Sequence, residues 1–361
     1  MNSSQLIDSF EGKKVLITGH TGFKGSWLTA WLNQLGANVV GVSLDIPTKP
    51  SHFEILDFNN IENFYLDIRN FEALKTLVKQ KSPDFVFHLA AQSLVINSYK
   101  NPIDTWGTNL MGTVNILESL KCLDNTCCVV LITSDKCYDN LEWEWGYREN
   151  DKLGGPDPYS ASKGAAELAI SSYFRSFFKK NNFINIASAR AGNVIGGGDW
   201  SQNRLIPDCI RAWSKQETVI LRNPNSTRPW QHVLEPLSGY LSLAINLSVN
   251  KELNGKSFNF GPSEMSTKSV LDLVKKMAQY WPMVKWNLEE MINDFHESAL
   301  IKLNCDLANE LLKWFPKLDF ESTTKMTALW YKNYYDSETS NIKEFTSKQI
   351  NDYMNLNSGK N

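Results

Sequence analysis

Six short apolar runs, separated by stretches with apolar residues at helical spacing, constrain this chain more than any other feature. Lys14–Thr18, Val39–Leu44, Phe64–Leu66, Asp84–Leu89, Cys127–Thr133 and Ile184–Ala189 read as strands. Phe23–Leu35, Phe71–Lys79, Pro102–Leu120 and Pro158–Lys179 read as the helices between them. Strands that are apolar throughout must be covered on both faces, and strand–helix alternation supplies that cover only around a parallel sheet. With right-handed crossovers the result is an α/β fold, a doubly wound parallel Rossmann sheet. After about residue 190 the texture changes. Gly, Asn, Trp and Pro cluster at 192–200 and 222–236, and the short strands Val219–Arg222 and Ser257–Phe260 lie among short helices. This part reads as a smaller mixed α/β substrate domain. No Ser/Gly-rich linker divides the two, so the domains interleave. Residues 1–190, with a return at about 233–258, form the first; 191–232 and about 259–361 form the second. The polar stretch from about Asp336 reads as a terminal amphipathic helix with a frayed end.

Charge and cysteines narrow the function classes. Lys plus Arg is 37 and Asp plus Glu is 39. A chain so balanced lacks the basic excess that neutralises nucleic-acid phosphates. Cys122, Cys127, Cys128, Cys137, Cys209 and Cys305 show no CxxC pair and read as reduced thiols. His20, His52, His88, His232 and His296 give no i, i+4 metal pair, so no metal is expected. The opening MNSSQLIDSFEGKK has neither the basic nor the apolar region of a signal peptide. No apolar run is long enough to span a bilayer. These points together predict a cytoplasmic protein that binds neither membrane nor nucleic acid.

Two constellations carry chemistry. The strand Lys14–Thr18 runs into Gly19-His-Thr-Gly22-Phe-Lys-Gly25, which opens a helix. The first glycine allows the tight turn, the second the approach of a pyrophosphate, and the third close helix–strand packing. The helix N-terminus adds oriented N–H groups. Asp45, at the end of the second strand, suits the ribose hydroxyls of NAD and disfavours the 2′-phosphate of NADP. Asp67 suits the adenine amino group or, equally, the N-cap of the helix starting near Phe71. The second constellation is Tyr159-Ser-Ala-Ser-Lys163. At i and i+4 the two side chains share a helix face. An ammonium beside a phenol lowers the phenol pKa, so Tyr159 suits a base acting on an alcohol.

With these motifs the sequence resembles the extended short-chain dehydrogenase/reductase family of nucleotide-sugar epimerases and dehydratases, over nearly its whole length. The resemblance implies bound NAD, held by Gly19, Thr21, Gly22, Phe23, Lys24 and Gly25, by Asp45, Asp67 and Ile68, and by Leu89, Ala90, Ala91 and Gln92 after the fourth strand. Asn109, Tyr159, Lys163 and Arg190 complete that set. It implies Tyr159 as base, Lys163 on the nicotinamide ribose and Thr133 on the substrate's 4-hydroxyl. An epimerase needs no more than these. Here Thr133-Ser-Asp-Lys136 continues into an acid–base pair, as in the family's 4,6-dehydratases. The resemblance makes Asp135 the acid for the leaving C6 hydroxyl. Where many dehydratases carry Glu, this chain has Lys136, which can remove the C5 proton only when neutral. Asn193, Arg204, Arg228 and His232 are implied on the substrate side. Gly196–Gly198 would let the backbone approach a ligand or form a plain loop, and Trp200 and Trp230 would stack on a base or pack. The implied substrate is a nucleotide-diphosphosugar, CDP-glucose first, consumed in deoxysugar synthesis for lipopolysaccharide O-antigen. UDP-N-acetylglucosamine dehydration, 4-epimerisation and a turnover-free NAD sensor are the alternatives. The family pairs its two long helices across a two-fold axis, which implies a homodimer or homotetramer.

Overall fold

The computed structural model describes residues 3–221, 223–263, 267–281, 284–288, 300–336 and 341–356. Arg222, His296 and the expected frayed end after residue 356 lie outside the described residues.

Seven parallel strands form the central sheet: β1 Lys14–Thr18, β2 Asn38–Ser43, β3 Glu62–Tyr65, β4 Phe85–His88, β5 Cys127–Ile132, β6 Ile184–Ala191 and β7 Ser257–Phe260. Their order is β7-β6-β5-β4-β1-β2-β3, with every neighbouring pair parallel. The doubly wound sheet expected from the alternation is therefore present. The strand order reverses between β1 and β4, and a crevice opens there beyond their C-terminal ends.

Period-two alternation distributes the strand residues to two cores. Val15, Ile17, Phe87 and Val130 face one side; Leu16, Val86, Val129 and Leu131 face the other. The helices that cover these faces are α1 Phe23–Gln34, α2 Phe71–Lys81, α3 Gly112–Leu120, α4 Pro158–Tyr173, α5 Leu234–Val249, α6 Phe320–Asp336 and α7 Ile342–Asn355. Trp27 and Trp31 of α1 pack on the first core with Leu237 and Leu241 of α5. Leu74 of α2 and Ile116 and Leu117 of α3 pack on the second.

Three local readings differ from the structure. The helix expected over Pro102–Leu120 is one rod built in three parts, Pro102–Trp106, a π turn at Gly107–Met111, and α3. The long helix from Pro158 likewise changes to a π turn at Phe174–Phe178. A π turn leaves no trace in apolar spacing, because it adds a single residue to one turn. Beyond residue 190 the helices are not all short. LEPLSGYLSLAINLSV forms the sixteen-residue α5, buried on nearly all sides. A helix apolar all round has no stripe to detect.

The polar tail does form a helix, α7. Its Ile350 and Tyr353 are buried, and Trp31 Nε1 donates to Met354 Sδ at 3.3 Å. Three two-stranded ladders make up the irregular region: Val194–Ile195 with Gln231–His232, Thr227–Pro229 with Thr267–Ser269, and Thr218–Leu221 with Lys285–Leu288.

Candidate active site

The loop between β1 and α1 is shaped by what its glycines touch. A methyl group on Gly25 would lie 2.0 Å from the Gly19 carbonyl oxygen, so α1 sits directly on the loop. A methyl on Gly22 would meet only that same oxygen, at 3.4 Å. Packing within the chain therefore does not demand a bare Gly22. No side chain caps α1 at Gly22, so the N–H groups of its first turn have no partner of this kind. A bare backbone at an uncapped helix N-terminus fits a pyrophosphate. Thr21 ties the loop to β2, its N–H donating to Ser43 Oγ at 3.2 Å and its hydroxyl to the Asp45 carbonyl at 2.6 Å. The Asp45 side chain stands exposed beside the loop.

His20 belongs to this site and escaped the sequence reading. Its Nδ1 pairs with Ser43 Oγ at 2.8 Å and its Nε2 with Asn63 Oδ1 at 2.7 Å, while its ring lies over Gly41. Burial holds its pKa below the usual value. The signal was Gly41 inside the strand sequence VVGVS, since a strand glycine marks a close approach.

Asp67 does not stand free. Arg69 binds it in a forked pair with contacts down to 2.6 Å and reaches Asp104 with its other nitrogen, also at 2.6 Å. These bonds hold the Asp67 carboxyl below its ordinary pKa. It is not the N-cap of α2 either; Asn70 is, accepting from Ala73 N at 3.2 Å. Ile68 is buried under the helix rod at Gly112.

The segment after β4 is held by Asn109, in the π turn. Asn109 Oδ1 accepts from Gln92 N at 2.8 Å, and its amide donates to the Gln92 carbonyl at 3.0 Å and to Ser162 Oγ at 2.9 Å. One side chain thus fastens Gln92 to α4, between Tyr159 and Lys163. Closer to the sheet, Leu89 N donates to the Thr18 carbonyl at 3.0 Å, and Ala90 N to Thr18 Oγ1 at 3.2 Å. Ala91 follows at the crevice mouth, half-buried.

The second expected constellation lies where β5 ends against α4. Asp157 caps α4, accepting from Ser160 N at 2.9 Å, and Pro158 fills its first turn. Tyr159 and Lys163 are both buried. Burial brings the Lys163 ammonium down to about 8. The expected lowering of the Tyr159 phenol is not found. Burial pushes it up to about 12, and the Ser134 hydroxyl beside it opposes the rise only in part. Thr133 Oγ1 donates to Glu167 Oε1 at 2.5 Å.

Asp135 and Lys136 form a short 3-10 turn after β5. Asp135 Oδ1 accepts from Ser134 Oγ and Lys136 N, each at 2.9 Å. Its Oδ2 lies over Gly192, where a methyl would come within 1.8 Å. Asp135 and Gly192 line a small cavity together with Gln231, Gly261 and Lys302. Lys136 is half-buried on the same turn. The Lys24 ammonium is brought down to about 8 by burial first and then by the Arg204 charge, with Asp135 opposing and Lys163 adding. Lys24 therefore belongs electrostatically to this constellation as well as to the loop.

Several groups expected near the cofactor or the substrate are turned into the interior, and of the two alternatives for Trp200 and Trp230 the packing one is found. The Arg190 guanidinium is turned into the interior, donating to Glu167 at 2.7 Å and to the Tyr138 hydroxyl at 2.6 Å. His232 is wholly enclosed, edge-on to Trp27 at 5.9 Å, and burial lowers it to about 3. Gly196–Gly198 is neither a ligand cradle nor a loose loop. A methyl on Gly197 would come 2.0 Å from the Trp330 ring, and one on Gly198 2.7 Å from His52. Trp200 packs among Trp330, Tyr331 and Tyr334, and Trp230 is buried with its Nε1 donating to the Lys268 carbonyl at 3.0 Å. The remaining expected groups stay near the crevice. Arg204 bridges it, reaching Asp199 at 3.2 Å and Ser93 at 3.3 Å. Asn193 follows Gly192 with φ 28°, its carbonyl accepting from Gln231 N at 3.3 Å. Arg228 donates to the Thr227 carbonyl at 2.9 Å.

All six cysteines are free. Among the described residues no group of three His, Cys, Asp or Glu side chains could hold a metal ion, and no helix is long and apolar enough to cross a membrane.

Residues 16–327 match the family model described as GDP-mannose 4,6 dehydratase. The sequence is 48% identical over 351 residues to the CDP-glucose 4,6-dehydratase of Salmonella typhimurium, covering 96% of this chain and 97% of that one. Among solved structures, the epimerase Mth375 of Methanothermobacter thermautotrophicus superposes with TM-score 0.78 at 24% identity, covering 92% of this chain and 96% of that one. The dTDP-glucose 4,6-dehydratase of Bacillus anthracis, solved in complex with NAD, superposes with TM-score 0.72 at 20% identity, covering 90% and 98%.

Proposed function

The chain belongs to the GDP-mannose 4,6-dehydratase family of extended short-chain dehydrogenases/reductases, and from that membership we propose that it converts CDP-glucose to CDP-4-keto-6-deoxyglucose and water. One observation carries the reading. A buried carboxyl, Asp135, stands at the Tyr159 end of α4 with one oxygen held by donors and the other packed over Gly192, and the residue lines a cavity. A 4-epimerase takes and returns its hydride at C4 and needs no such acid. Elimination of the C6 hydroxyl does. The 48% identity to the Salmonella typhimurium enzyme supports CDP-glucose as the sugar nucleotide.

The bare backbone at Gly22, the uncapped start of α1 and exposed Asp45 hold NAD. When bound, NAD would supply the acceptor for the C4 hydride and the donor of that hydride to C6, so none would be consumed. Tyr159 acts as base in its phenolate form, which the Lys163 ammonium, one helical turn on, steadies, and it becomes the phenol on taking the proton of the 4-hydroxyl. The C5 proton, now beside a ketone, passes to Lys136. Asp135 acts as the acid, giving a proton to the C6 hydroxyl, which leaves as water while a C5–C6 double bond forms, and Lys136 returns the proton to C5 when the hydride reaches C6. Arg204 and Arg228 take the diphosphate, whose oxygens suit guanidinium forks, with Asn193 beside them.

The helix rod and α4 lie side by side and leave Ile103, Trp106, Met111 and Leu168 exposed. These apolar side chains support a second copy of the chain as their cover, in a homodimer or homotetramer. Six free thiols suit a reducing compartment, the cytoplasm.

The test is purified protein with NAD, no external reductant, and CDP-, UDP-, dTDP- and GDP-glucose plus UDP-N-acetylglucosamine. Loss of one water from CDP-glucose without net NADH is expected. Water lost from another sugar nucleotide would move the specificity. A changed C4 configuration would make the protein an epimerase, and unchanged sugars a sensor.

A further inference from the structure

Glu167 takes no part in the steps above, yet it touches Thr133, the residue expected on the substrate's 4-hydroxyl. It lies one turn beyond Lys163 on α4 and is fully buried. Its two oxygens have separate partners. Oε1 accepts the Thr133 hydroxyl at 2.5 Å. Oε2 accepts from Arg190 at 2.7 Å, Ser188 at 2.8 Å and Ser257 at 3.1 Å. Arg190 is itself fixed by the Tyr138 hydroxyl and the Glu149 carbonyl. Burial alone would raise the Glu167 pKa, but the Arg190 charge and these donors outweigh it and hold the carboxyl below its ordinary value. Glu167 is therefore an acceptor with nothing to donate.

A hydroxyl has one proton. Thr133 gives its proton to Glu167, so it presents only lone pairs to the crevice. We propose that Glu167 is a positioning residue that fixes Thr133 as a hydrogen-bond acceptor, so that the site favours a 4-hydroxyl over a 4-ketone. On binding, before its proton passes to Tyr159, the 4-hydroxyl of the substrate can donate to Thr133. The ketone oxygen of the product has no proton and meets lone pairs. Thr133 thus holds the sugar before oxidation and loosens it afterwards, which favours product release. This inference rests on the reading that the 4-position of a nucleotide sugar enters here.

Glu167→Gln reverses the polarity. Arg190 would keep the amide oxygen, which turns the amide nitrogen toward Thr133. That nitrogen donates, so Thr133 must accept from it and its own proton faces the crevice. The experiment measures dissociation constants of CDP-glucose and of CDP-4-keto-6-deoxyglucose by calorimetry, with NAD supplied, in a Tyr159→Phe background where the substrate persists. Relative to that background, E167Q is expected to shift the product-to-substrate preference by roughly tenfold or more toward the ketone, the size of one hydrogen bond made or opposed in a buried site. A merely structural role would weaken both ligands alike and leave the ratio unchanged. Should E167Q fail to fold because Arg190 loses its counter-charge, Thr133→Val removes the same acceptor without touching that pair. It should shift the ratio in the same direction. Ser257→Ala, on the Arg190 side of the carboxylate, should leave it unchanged. Measurable binding with an unmoved ratio in both E167Q and T133V overturns this inference and leaves the proposed function standing. No binding of either nucleotide sugar to the Tyr159→Phe protein overturns both.

Discussion

Two glycine-rich segments of this protein have opposite surroundings. Gly19–Gly25 is framed by a strand and a helix, and Gly22 carries bare backbone at the uncapped end of α1. Gly196–Gly198 is denser in glycine, yet every member is pressed against a side chain, Val233, Trp330 or His52. The first segment leaves Gly22 bare, and the second is sealed by Val233, Trp330 and His52. Glycine removes a side chain, and only the neighbouring elements decide what takes the space. The same division separates the functional side chains. Residues on the ends of β4, β5 and α4 line the crevice. His232, Trp200 and Trp230, from the irregular region, are buried in the core.

The largest expected effect separates the open side from the sealed one. Asp135→Asn keeps size and packing but cannot supply the proton for the C6 hydroxyl. Water release should fall by about 10²–10⁴-fold, with an unchanged thermal midpoint, while C5–H exchange with solvent deuterium continues. Loss of both together would mean that Asp135 shapes the site rather than acting as the acid. Trp200→Leu is the counterpart. It leaves a gap among Trp330, Tyr331 and Tyr334 and should cost about 2–4 kcal/mol in denaturant unfolding. Turnover per folded molecule should stay within a few-fold of wild type.

A smaller contrast compares the glycine segments directly. Gly22→Ala should leave the unfolding midpoint almost unchanged, because a methyl there crowds only one atom of the chain. It should weaken NAD about tenfold or more by holding the pyrophosphate off the backbone. Gly197→Ala should do the reverse. Its methyl drives into Trp330, at a cost of about 1–3 kcal/mol, with NAD affinity retained once folded. Equal loss of NAD affinity in the two variants would erase the distinction drawn above.

Most of the sheet and the loop was legible because regular elements fix geometry locally. A strand of apolar residues, a glycine turn and an amphipathic helix leave few arrangements, so Gly25 opens a helix and Tyr159 and Lys163 share one, as spacing implied. What failed was of three kinds. Side-chain partners far apart in sequence were invisible, as with Arg190 and Glu167, 23 residues apart, or His20 and Asn63, 43 apart. The π turn under Asn109 left no periodicity to read. The pKa of Tyr159 depends on burial, which a helical i, i+4 pair does not reveal; proximity to Lys163 suggested a fall, and desolvation produced a rise.

The sealed region also makes a prediction about acid. His52 is stacked at 4.9 Å on Trp27 and edge-on at 5.4 Å to Trp330, its Nδ1 paired with Ser26 Oγ at 2.7 Å. Burial lowers both His52 and His232 from 6.5 to about 3. A histidine kept neutral in the fold but free to protonate when unfolded gives the unfolded state more protons below pH 6.5. Its contribution to stability is complete above 6.5 and is lost as pH falls toward 3. Each such histidine contributes a slope of about 1.4 kcal/mol per pH unit at most. Glu235, buried in the same core, runs the other way. Burial raises it to about 7 from 4.5, so its contribution grows as pH falls through that interval. Two histidines against one carboxylate leave this region net acid-sensitive between pH 6.5 and 4.5. His232→Asn should therefore start less stable at pH 7.5 but lose less on acidification, flattening the urea-derived stability curve by about 1 kcal/mol per pH unit. A parallel shift of the whole curve would show that His232 is a packing group whose proton the fold does not exclude.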